Sequence, residues 1–143
     1  MASIKHYLII RTPVEIVYKA LTQQEALAGW WTPETFTKSK VGSIIDFIFG
    51  KNSHDQMKIL VLAKNKKVEW ECVQGDPEWV GTRICFDLVG KNNSTVLRFT
   101  HSKWKKETDF LATCNYHWGY FLRSLKLFCE TGKGTPFGTN EYQ

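Results

Sequence analysis

From residue 42 to residue 102 this sequence places apolar residues at every second position through five segments, and no gap between them is long enough for a helix. The segments are GSIIDFIFG, DQMKILVLA, KKVEWECV, GTRICFDLVG and STVLRFTHS. A period of two puts one side of each segment against a core. Ile45, Phe47 and Phe49 share a face, as do Met57, Ile59 and Val61, and Val68, Trp70 and Cys72. Ile84, Phe86 and Leu88 continue the pattern, followed by Leu97, Phe99 and His101. The separators GKNSHD, KNK, GDPE and GKNN carry turn chemistry. Strands in unbroken succession predict an antiparallel meander with one buried face.

The flanks supply the other layer. SIKHYLII at 3–10 reads as a first strand. RTPVEIVYKAL then reads as a helix, with Thr12 as N-cap, Pro13 at the first helical position and Glu15 closing a capping box. QQEALAGWW is a short second helix expected to end at Gly29, before Pro33. At the far end, LATCNYHWGYFLRSLKLFC reads as a long helix capped by Thr108 and stopped by Gly132. Its apolar stripe comprises Phe110, Cys114, Trp118, Phe121, Leu122, Leu125 and Phe128, opposite Arg123, Lys126 and Glu130. Tyr116, Tyr120 and Leu127 form a second apolar patch, suited to a partner or to the tail GTPFG.

The tally is one strand, two helices, a run of strands and a long final helix. That is an α+β protein in which a strongly curved antiparallel sheet of about seven strands wraps around the last helix. Residues 1–143 fit one domain, with the last few, in GTNEYQ, expected to fray. Strongly twisted sheets curl, and a helix lying on the concave side leaves a space that side chains need not fill.

The order TPVEIVYKALT, GWWTPE, VEWECV, PEWVGTRICFDL, VLRFTHSKW and NYHWGYFLRSLK…ETGKGTPF resembles the helix-grip superfamily over nearly the whole chain. That superfamily includes START lipid-transfer domains, polyketide cyclases and the birch-pollen allergen. Within it the chain is similar to the branch named after the C-terminal domain of the heat-shock protein 90 ATPase activator. The resemblance implies a helix-grip fold and a cavity for a hydrophobic or amphipathic molecule, lipid-like or polyketide-like. One departure stands out: Lys103 occupies a position where the branch commonly has Gly.

Candidate site residues follow from the inward faces. Aromatic residues make up 14% of the chain, and six of them are Trp. Phe47, Phe49, Trp70, Phe86, Phe99 and Trp118 are expected to line the interior, with Met57 and Phe121 beside them. Each ring alone is accounted for by packing; together they are too bulky for all to interlock without a gap. Trp30 and Trp31 follow the second helix, at the expected pocket entrance, where one should pack inward and one should sit near the rim; Trp31 is the candidate site residue of the two. Trp79, after Pro77, reads as a lid or a strand-end anchor.

His101 points inward, so its ring needs partners: a backbone group or a Trp N–H if structural, a ligand's polar end otherwise. His117 sits at the edge of the helical stripe, within reach of a pocket mouth. No metal site is expected, because Asp46, Glu71 and Asp87 alternate outward and two His without a third ligand bind weakly. No cofactor is implied. Ser102 points away from His101, and GKGT at 132–135 ends a helix instead of opening one, which excludes a phosphate loop.

The net charge of +5 comes from fifteen Lys and four Arg with no clustered basic helix, so nucleic acid is not an expected partner. Cys72, Cys85, Cys114 and Cys129 form no C-x-x-C pair and are expected to be reduced and buried. With no signal-peptide pattern and no apolar run of membrane-spanning length, the expected location is cytoplasmic. Three functions are consistent with these residues. One is a binding module in which His101 orients a ligand. Another is a chaperone-associated domain using Tyr116, Tyr120 and Leu127. The third is a cyclase-like or hydrolase-like enzyme with His101 as base.

Overall fold

The computed structural model describes residues 2–139. Residues 140–143, within the stretch expected to fray, lie outside it. Strand β1 (Ala2–Ile10) is followed by helices α1 (Val14–Thr22) and α2 (Gln24–Trp30). Six strands come next: β2 (Glu34–Phe36), β3 (Ile44–Ile48), β4 (His54–Ala63), β5 (Lys67–Gln74), β6 (Arg83–Lys91) and β7 (Ser94–Trp104). Helix α3 (Asp109–Thr131) closes the chain. All pairings are antiparallel, in the order β1-β7-β6-β5-β4-β3-β2. The meander and the curved seven-stranded sheet expected from the sequence are both present. Among the described residues no helix is long and apolar enough to cross a membrane.

Two irregularities re-aim side chains. Between Ile59 and Val61 the β4–β5 register shifts, so Val61 pairs with the outward Glu69 and Leu62 with the buried Val68. Leu62 therefore takes the core-facing place that simple alternation assigns to Val61. The second lies on β7, where Ala2 faces Trp104 but Ile4 faces His101. The extra residue lets His101 and Trp104, three apart, both point inward, at 0% and 1% exposure. Lys103 makes the bulge with a left-handed backbone, φ 67°. The turn that glycine would favour is thus kept with a lysine.

Helix α3 has the caps its sequence implies. Leu111 N donates to the Thr108 hydroxyl, and Gly132 ends the helix at φ 86°. Cys114, Trp118, Phe121, Leu122 and Leu125 are buried, with Phe110 and Phe128 half-buried at the two ends of the stripe. Ser124 is buried too, where sequence reasoning expected only apolar residues. Its hydroxyl donates to Trp30 O at 2.7 Å and accepts from Thr135 N at 2.7 Å, tying α2, α3 and the tail together. The opposite face also has work: Lys126 bonds Ile9 O and pairs with Glu130, and Glu130 accepts from Arg11 N. These contacts hold α3 to the β1 edge of the sheet.

Two expectations at the first helices are corrected. The N-cap of α1 is Pro13, and no side chain caps it. Thr12 instead donates its hydroxyl to Cys129 O at 3.0 Å, because the end of α3 lies over it. Gly29 does not end α2 but sits inside it, and the C-cap is Trp31. A Cβ on Gly29 would meet the Phe128 ring at 2.4 Å, so the glycine is there for helix–helix approach.

Candidate functional site

A cavity of about 370 Å³ opens between the N-terminal half of α3 and the loops β3–β4 and β5–β6. Its apolar wall is Trp31, Phe49, Trp79, Phe110, Trp118, Phe121 and Phe137, with Cys114 on the helix between them. Ser53, Asp55, Asp76 and His117 supply polar groups. A second recess of about 300 Å³ shares Ser53, Asp55 and Asp76 and adds Asn52, His54, Gln74 and Gly75. The apolar chamber therefore borders a polar vestibule along these three residues.

Ring contacts and hydrogen bonds hold the chamber walls in place. Trp31 is placed by the end of α2, stacks on Trp70 at 6.2 Å and packs on Phe47 at 4.4 Å. Trp118 lies on Phe99 at 4.5 Å and beside Trp31 at 5.0 Å. Trp79 runs parallel to Trp118 at 6.1 Å and donates its N–H to the Cys114 thiol at 3.3 Å. The tail closes one side. Phe137 N donates to Trp31 O at 2.7 Å, and its ring meets Phe49 edge-on at 5.5 Å.

Of the residues picked from sequence, Trp31, Phe49, His117, Trp118 and Phe121 line this chamber. Phe47, Met57, Trp70, Phe86 and Phe99 do not; they are at most 1% exposed and form the layer beneath. The physical reason is the second tier of rings: Trp31 covers Phe47 and Trp70, and Trp118 covers Phe99.

His101 is likewise outside the lining. Trp118 Nε1 donates to its Nδ1 at 3.1 Å, which leaves the proton on Nε2. That nitrogen donates to the Thr82 hydroxyl at 2.8 Å, and the Thr82 hydroxyl in turn donates a hydrogen bond to Trp79 O at 2.6 Å. Burial pushes the ring's pKa down to about 3, so it is neutral with both nitrogens engaged. This geometry supplies the Trp N–H partner allowed for from sequence and leaves no lone pair to act as base. His117 reaches the chamber, but the two histidines do not meet in its lining.

Sequence reasoning missed Asp55, Asp76, Ser53, Phe110, Cys114 and Phe137 as site residues and left Trp79 uncommitted. Asp55 was within reach: it precedes Met57 by two positions on the same inward parity of β4. Its residue is 8% exposed. Burial raises its pKa to about 6, with His54 opposing and Asp76 reinforcing. Gly75 makes room for it, since a Cβ there would lie 2.6 Å from Asp55 Oδ1. Burial also pushes the Cys114 thiol up to about 11, too high for a nucleophile at neutral pH. All four cysteines are free, two buried and two half-buried. Among the described residues no group of three or more His, Cys, Asp or Glu is placed to hold a metal.

The Tyr116–Tyr120–Leu127 patch is less continuous than expected. Tyr116 is 76% exposed, whereas Tyr120 packs against the core and Leu127 is half-buried. The tail is pinned at Ser124 and Trp31.

Comparison with known proteins gives a consistent result. No curated protein sequence matches significantly. The solution structure of the Aha1 dimer from Colwellia psychrerythraea is 41% identical, with a TM-score of 0.85, over 94% of this chain and 100% of that one. Protein MLL2253 from Mesorhizobium loti is 20% identical with a TM-score of 0.77, covering 87% of this chain and 94% of that one. CalU16 from Micromonospora echinospora is 18% identical with a TM-score of 0.71, covering 88% and 73%. The last two likenesses concern the fold alone. The profile of the family described as activator of Hsp90 ATPase homolog 1-like protein matches residues 11–130. The chain belongs to that family, on the helix-grip fold its sequence resembles.

Proposed function

We propose that this protein binds a small, largely apolar molecule in the chamber between α3 and the loops β3–β4 and β5–β6. The observation that carries the reading is a pocket walled by seven aromatic rings that is nevertheless not filled by them. Its volume is at the lower end for small-molecule sites. The rings are locked by their own contacts, so little ordering accompanies binding and desolvation contributes most of the affinity. The polar end of the ligand meets Asp55, Asp76, Ser53 and His117. His101 supports Trp118 from behind and touches no ligand.

Calorimetry and thermal shift against neutral apolar compounds test the reading. At 100 times its dissociation constant, a ligand stabilises the fold by ~2.7 kcal/mol. Cys114→Phe fills the chamber and should abolish that shift while the protein stays folded. A panel that produces no shift in the parent protein rejects the proposal.

A second reading concerns association. The Colwellia homologue is a dimer in solution, and Tyr116 projects from α3. Self-association, or the chaperone contact suggested by the family's description, would use that face. Sedimentation of the parent and of Tyr116→Ser decides the self-association arm: a dimer lost in the variant supports it, and a monomeric parent rejects it.

A further inference from the structure

The vestibule and chamber share one chemical asymmetry. Neither lining contains a lysine or an arginine, although the chain carries a net charge of +5. Two carboxyl groups, on Asp55 and Asp76, stand where the chamber meets the vestibule. None of the ion pairs found among the described residues involves either. His54, the base beside Asp55 in sequence, is committed to Asp46 at 2.7 Å. Asp55 is more than nine-tenths buried and faces the cavity, so its charge is held in a poorly hydrated place with no ion-pair partner in contact; His54 acts on it only at longer range, and Asp76 opposes the charge. An unpaired buried carboxylate is costly, and a cation arriving with the ligand offsets that cost.

The rings point the same way. Trp79 and Trp118 lie parallel, with 6.1 Å between centroids, and Trp31 adjoins Trp118 at 5.0 Å. Electron-rich indole faces attract a cation within about 6 Å, most strongly where water is excluded. A fatty-acid-like ligand would bring its carboxylate to Asp55 and Asp76 and be repelled.

We propose that the ligand of this pocket is a cationic amphiphile: an amine or quaternary ammonium head at Asp55 and Asp76, beside the indoles that share their cavity, with an apolar body against Trp31, Trp79 and Trp118. The inference rests on the binding reading above and adds the sign of the head group.

Isothermal titration at pH 7.5 with octylammonium, 1-octanol and octanoate tests it on the unmodified protein. The three probes share a chain and differ in charge. Octylammonium should bind about tenfold more tightly than octanol, with octanoate weakest. Asp55→Asn should reduce octylammonium affinity about tenfold and leave octanol unchanged, and Asp76→Asn should act in the same direction. Octyltrimethylammonium that keeps the preference assigns the head to the ring faces and the charges; a loss of preference confined to that probe assigns it to direct N–H donation. Octanoate binding as tightly as octylammonium overturns the charge assignment while octanol binding preserves the pocket. Failure of all three to bind overturns the pocket reading as well.

Discussion

Trp118 donates its indole N–H to His101 Nδ1 across 3.1 Å, joining the middle of α3 to the inner face of β7. The bond gives both a buried imidazole and a buried indole a polar partner in the core. Trp118 also forms the chamber floor, so a ligand touching that ring sits one hydrogen bond from a buried histidine.

Replacing His101 by Leu leaves the Trp118 N–H without an acceptor in the core. It should destabilise the protein by about 1–3 kcal/mol in urea unfolding. His101→Gln can accept from Trp118 and donate to Thr82, and should recover most of the loss. Equal losses in the two variants would show that ring shape matters and the hydrogen bonds do not.

Acid stability carries two opposing contributions. His101 is held neutral, its pKa down at about 3 against an ordinary 6.5. Between these values the unfolded chain binds the extra proton, so this contribution is full above pH 6.5 and lost as pH falls toward 3. Asp55 runs the other way: raised to about 6 from 3.8, it favours the fold below 3.8 and loses that advantage as pH rises through 6. Asp55→Asn should therefore be more stable than the parent at pH 7.5, by about 2 kcal/mol, and should lose stability more steeply on acidification from pH 6 to 4. Denaturant midpoints across that range provide the measurement; parallel curves would contradict the assignment.

Ser124 joins three segments through one hydroxyl. Ser124→Ala removes its bonds to Trp30 O and Thr135 N and should cost about 1–3 kcal/mol. Because the tail carries Phe137 into the chamber wall, the variant should also expose the tail to hydrogen exchange earlier than α3. Retained protection at residues 135–137 would show that Phe137 alone seats the tail.

Lys103 holds a left-handed backbone at an exposed bulge. Lys103→Gly should stabilise the protein by up to about 1 kcal/mol, and Lys103→Val should destabilise it by more than that. The thermal midpoints of the two variants should bracket that of the parent. If Val were tolerated as well as Gly, the bulge would not be under backbone strain.

The meander, the caps of α3 and the inward course of His101 were legible because each depends on local periodicity or a local cap. Other features depend on which surface arrives from elsewhere. Thr12 reads as an N-cap until the Cys129 carbonyl claims its hydroxyl. Gly29 reads as a helix stop until the Phe128 ring is seen against it. Val61 loses its inward place, and Trp104 gains one, through single-residue register shifts that no alternation count reveals. At the site, five residues chosen from inward parity lie beneath the lining: Trp31 packs on Phe47 and Trp70, Trp118 packs on Phe99, and Met57 and Phe86 are buried with them. Asp55 had the right parity but the wrong polarity for a reading that looked for apolar lining.

The most direct test of the central claim is a titration of the six Trp indole N–H resonances with octylammonium. The chamber account predicts that Trp31, Trp79 and Trp118 move most and saturate together, with Trp30 and Trp104 nearly still. Shifts spread evenly over all six, or none at any concentration below aggregation of the probe, would contradict it.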